Sequence, residues 1–120
     1  MKFSETEIEI ARKLRELELP WQPQAGQYVF DIKGIIEKPS PFQASVYFIL
    51  DIKHFLRRAG TVEDIKAAMC WLPLWEECRE ILTSINVTWD QIESRLVECS
   101  AFEKGIERSV LYEIILEELQ

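Results

Sequence analysis

A chain with one histidine and three cysteines among 120 residues has few parts from which to build a reactive site. His54 follows Asp51 by three positions, which puts both on one helix face and gives the minimum arrangement for a carboxylate-oriented imidazole that moves protons. No recognisable motif brings a serine or cysteine beside this pair, and Lys53, Arg57 and Arg58 around it describe a solvated basic face, so no catalytic residue is expected. Cys70, Cys78 and Cys99 lack CxxC spacing, and joining them to a lone histidine fits no familiar zinc pattern. They are predicted to be reduced structural thiols, with no metal and no cofactor. Gly26, Gly34, Gly60 and Gly105 are isolated, and none opens a GxGxxG or GxxxxGK phosphate cradle, so nucleotide binding through those motifs is excluded. The doublets Glu76-Glu77 and Glu117-Glu118 read as solvated acidic faces, because adjacent helical residues point about 100° apart.

Aromatic residues offer the stronger binding candidates. Trp21 lies between Pro20 and Pro23, Tyr28 opens a β-prone run, and Trp71 and Trp75 are four residues apart around Pro73. If helical geometry survives that proline, the latter two share one side. Filling a core is the ordinary use of tryptophan; an exposed patch of Trp21, Tyr28, Trp71 and Trp75 would instead anchor a partner or ligand.

Charge limits the choice of partner. The net charge is −7, and it divides into −1 over residues 1–27, +2 over residues 28–60 and −8 over residues 61–120. The lengths of residues 74–98 suit a helix-turn-helix, but its second helix offers Arg95 against Asp90, Glu93 and Glu98. A DNA reader must neutralise phosphates before it reads bases, so a packed helical hairpin is expected there, with no nucleic acid bound. Apolar runs such as residues 46–50 fall far short of the ~20 needed to span a bilayer. The opening residues carry charge and no secretory pattern, so the sequence predicts a cytoplasmic protein with no membrane contact.

The elements that must position these residues are legible from caps and periodicity. Ser4 with Glu7 forms a capping box, Phe3 and Ile8 a hydrophobic staple, and Ile10, Leu14 and Leu17 one apolar face, so a helix should run from Glu5 to just before Pro20. Residues 28–30, a turn at 31–34 and residues 35–37 read as a β-hairpin. Residues 40–43 look like a helix start, yet the β-branched and aromatic run at 46–49 favours a strand that extends the hairpin into a meander, followed by a helix ending at Gly60. Beyond Thr61 the pattern is helical throughout: residues 62–70 behind a Thr61–Asp64 cap, a stripe from Leu74 to Ile85, a Thr88–Gln91 cap, and a last helix over residues 106–119.

The expected fold is therefore a single α+β domain over residues 1–120, mostly helical, with a small antiparallel hairpin or three-stranded meander at about residues 27–50 against four to five helices. The last helix has two adjacent apolar rows, Val110 with Ile114 and Leu111 with Ile115, more than one core face requires. From that surplus follows a non-catalytic, protein-binding regulatory or adaptor module, self-associating through those four residues. The alternative is a small-ligand-binding or enzymatic domain with its pocket near Trp21, Tyr28 and His54.

Overall fold

The computed structural model describes residues 2–120. Helix α1 (Glu5–Glu16) starts as expected: the Ser4 hydroxyl accepts from the Glu7 N–H at 3.1 Å, and the Glu7 carboxylate accepts from the Ser4 N–H at 2.8 Å. Three strands follow, β1 (Tyr28–Asp31), β2 (Val46–Phe48) and β3 (Met69–Leu72), with α2 (Ile52–Ala59) and α3 (Val62–Ala68) between the last two. The chain then continues as α4 (Trp75–Ser84), α5 (Trp89–Glu98), the short α6 (Ala101–Lys104) and α7 (Glu107–Leu119). This is a mostly helical α+β fold with one small antiparallel sheet.

The sheet order is β2-β1-β3, and every pairing is antiparallel. Tyr28 lies opposite Phe48 and Leu72, and Phe30 lies opposite Val46 and Cys70. The expected hairpin between residues 28–30 and 35–37 does not form. Asp31 is buried, and its carboxylate accepts from the Ile35 and Ile36 N–H groups at 3.1 and 2.8 Å, which turns the chain away from the sheet after β1. Satisfying those donors on a side chain removes them from any strand ladder. Residues 46–48 do form a strand followed by a helix. The third strand, however, comes from residues 69–72, where the sequence reads as the tail of a helix; no glycine or proline marks the helix end until Pro73.

Alternation across the sheet sorts the side chains into two cores. Tyr28, Phe30, Val46, Cys70 and Leu72 join α1, α4, α5 and α7 in the larger one, while Val29, Tyr47 and Met69 face α2 and α3 in the smaller. Both helices of the αα-hairpin reach α7, and α1 packs on α7 and β3. Consequently Val110, Leu111, Ile114 and Ile115 are all buried within a single copy. The expected self-association surface is core: α1, α4 and α5 cover the extra apolar row that one face would have left over. Tyr112 is buried beside them and donates its hydroxyl to the Pro73 carbonyl at 2.7 Å.

Candidate binding groove

β3 ends at Leu72, and Pro73 breaks the ladder before α4 begins. Leu74 at the N-cap has no polar side chain, but Glu77 closes half of a capping box by accepting the Leu74 N–H at 2.9 Å. This fixes Leu74, Trp75, Glu76 and Glu77 on one wall of an open groove of about 680 Å³. The start of α7 supplies Glu107 and Arg108, the loop before β1 supplies Gly26, and α6 supplies Phe102. α6 is a single turn between two left-handed residues, Ser100 at φ 52° and Gly105 at φ 67°. A left-handed serine is uncommon outside tight corners. The corner it makes leaves Phe102 60% exposed.

The groove is apolar at its floor and negative at its walls. Its one guanidinium is directed elsewhere: Arg108 Nε donates to Glu7 Oε2 at 2.5 Å, its Nη2 donates to Glu7 Oε1 at 3.1 Å and to the Lys2 carbonyl at 2.6 Å, and its carbon lies 4.2 Å from the Phe3 ring centre. Among the described residues, none of the ion pairs involves Glu76, Glu77 or Glu107. Burial raises the Glu77 carboxyl above its ordinary range against the pull of the Leu74 N–H, and the nearby Glu80 charge adds to the rise. The buried Trp71 indole N–H has no close hydrogen-bond partner among the described residues, yet it lies near enough to the Glu77 carboxylate to oppose that rise.

The aromatic candidates are divided among different places. Trp75 lines the groove. Trp71 belongs to β3 rather than to a helix, so the two do not share a helix face; Trp71 stacks instead on Trp21, with ring centres 6.1 Å apart and planes 11° from parallel. Trp21 lines a separate shallow cavity with Arg15, Pro20 and Lys66. Tyr28 packs among Phe3, Phe42 and Phe48 at 5.5, 6.5 and 4.8 Å. His54 sits in a third hollow of about 540 Å³ with Phe48, Leu50, Lys53, Arg57 and Arg58. Trp21 and His54 thus line separate hollows, and Tyr28 adjoins the second of them only through Phe48.

The Asp51–His54 spacing has a structural explanation. Asp51 Oδ1 accepts the backbone N–H of His54 at 3.1 Å and is the N-cap of α2. Its i, i+3 relation is that of a cap rather than a proton-transfer pair. The thiols are unpaired; burial pushes Cys70 up to about 12 and Cys78 further still, while Cys99 is half-buried. Among the described residues no three metal-ligating side chains cluster, and no helix is long and apolar enough to cross a membrane. Phe102 and Glu107 escape the sequence reading, since a lone phenylalanine among polar neighbours carries no periodic signal.

Compared with known proteins, the chain matches no family model, no curated protein and no solved structure significantly.

Proposed function

We propose that the chain is a non-catalytic protein-binding module, regulatory or adaptor-like, that takes a partner segment bearing a basic residue between apolar ones into the groove. The observation that supports this reading is the exposed Phe102 beside Leu74 and Trp75, walled by three carboxylates that take part in none of the ion pairs among the described residues. Aromatic anchors in a concave apolar site, with charge at the rim, are the usual makings of a binding hot spot. The same negative field disfavours nucleic acid. Three free thiols fit a reducing compartment such as the cytoplasm.

Two synthetic peptides with the same apolar residues, one carrying arginine and one glutamate, test the reading by tryptophan fluorescence. The arginine peptide alone should bind, and Phe102→Ser should weaken it about tenfold or more, the scale of losing an anchor worth over 1 kcal/mol. Equal binding of both peptides, or of neither at low salt, would refute it. The pH dependence has a definite sign. Because burial holds Glu77 above the ordinary carboxylate range, it takes up its proton early as pH falls. Affinity for the cationic peptide should then begin to drop at a higher pH in the native protein than in Glu77→Gln.

A further inference from the structure

The molecule carries, on its own surface, a match for the groove. Leu50 is 82% exposed, the most prominent apolar side chain outside the cores. It borders the hollow that also holds Phe48, Lys53, His54, Arg57 and Arg58. Among the described residues the one carboxylate on that hollow, Asp51, caps α2. An apolar knob ringed by cations thus stands against an apolar floor ringed by carboxylates.

The two surfaces also lie at the same end of the sheet. Gly26, which lines the groove, donates its N–H to the Ile49 carbonyl at 2.7 Å, and Ile49 returns its N–H to the Gln27 carbonyl at 2.8 Å. Ile49 sits between Phe48 and Leu50, both on the basic hollow. Tyr28, at the start of β1, is opposite Phe48 on one side and Leu72, two residues before Leu74, on the other. The loop before β1 is therefore a ridge with the basic hollow on the β2 side and the acidic groove on the β3 side.

We propose that the groove's occupant is a second copy of this chain, docked reciprocally about a two-fold axis near this ridge. Leu50 of each copy enters the other's Leu74–Trp75–Phe102 floor, and Lys53, Arg57 and Arg58 meet the facing Glu76, Glu77 and Glu107. A two-fold arrangement makes both contacts at once and closes the assembly at two subunits, whereas a single head-to-tail contact would propagate. Opposed charges align the copies and make the association sensitive to salt. The proposal rests on the reading of the groove as a docking site and names its partner.

Sedimentation of the full chain tests it, with circular dichroism to confirm that each variant is folded. At low salt the mass should be double that of the monomer, and high salt should halve it. Arg57→Glu with Arg58→Glu should give a monomer, as should Glu76→Lys with Glu107→Lys. Mixing the two variants should restore the doubled mass, because each then offers the charge that the other lacks. Leu50→Asp, at a site the fold does not bury, provides an independent monomer. A dimer that survives these substitutions would overturn the proposal by showing another interface. A mass that climbs with concentration past two copies would overturn the reciprocal arrangement. A wild-type monomer at low salt that still binds the arginine peptide would overturn the second-copy occupant and leave the groove reading standing; failure to bind the peptide as well would remove both.

Discussion

The two sides of the sheet are built to different standards. On one, nineteen buried side chains among the described residues, most of them from α1, α4, α5, α6, α7, β2 and β3, form a continuous core. On the other, α2, α3 and the bent segment after β1 enclose eight. The heavier side also holds the buried ion pair of Glu7 and Arg108, with side chains 5% and 21% exposed, which joins α1 to α7. The lighter side has no described ion pair, and its helices span eight and seven residues, too short to persist without tertiary support. The lesson is that packing is concentrated on one side of this sheet, so the elements bearing the basic hollow are expected to open before the rest unfolds.

The largest effect should come from the heavier core. Leu111→Ala, at a fully buried position, is expected to cost about 4 kcal/mol in chemical denaturation, since a crowded site cannot collapse around the void. Next is Glu7→Ala, which removes the return half of the Ser4 capping box and strands a partly buried guanidinium. Its expected cost is about 3 kcal/mol, toward the low end for a broken buried pair because Arg108 keeps some contact with solvent. Ile65→Ala on the lighter side should cost about 2 kcal/mol, and hydrogen exchange should show its signature locally. Amides of α2 and α3 should exchange faster while those of α1 and α7 barely change; uniform acceleration would erase the distinction between the sides.

The smallest effect should be at Arg95. It pairs with Glu117 through Nη1 at 2.9 Å and Nη2 at 2.5 Å, the same chemistry as Glu7–Arg108, but the two side chains are 31% and 52% exposed. Arg95→Ala should cost about 0.5 kcal/mol, screened by solvent and salt. The hydrogen bond from Arg95 holds the Glu117 carboxyl below its ordinary value, so the contribution is present above the usual carboxylate range and is lost as pH falls through the lowered one. Equal costs at Arg95 and Glu7 would mean that burial does not separate these pairs.

Helix starts were the most legible part of the chain because their code is local. Ser4–Glu7, Thr61–Asp64 and Thr88–Gln91 are each a capping box within four residues, and each begins a helix where expected. The strands were less so. β3 is four residues with no boundary signal at its start, held in place by Phe30 and Val29 some forty positions earlier, and the Asp31 carboxylate, whose backbone bonds look like an ordinary turn in the sequence, takes the chain after β1 away from a hairpin. The apolar width of α7 was visible, but whether another copy or the same chain covered it depended on how α1, α4 and α5 converge. For the groove, Trp75 could be singled out by type. Its neighbours Phe102 and Glu107 come from elements about thirty positions away, a distance over which periodicity says nothing.

The tie between Glu7 and Arg108 spans 101 positions along the chain. During synthesis from the N-terminus, α1 can coil early around its own cap, but its buried carboxylate has no cation and its apolar stripe no α7 until residue 108 and those after it have emerged. Closing so long a segment delays the reward of contact until the segment through α7 is available, which slows collapse compared with a bundle of sequential neighbours. A nascent chain halted before α7 would therefore leave the α1 surface that α7 covers open to whatever else is at hand.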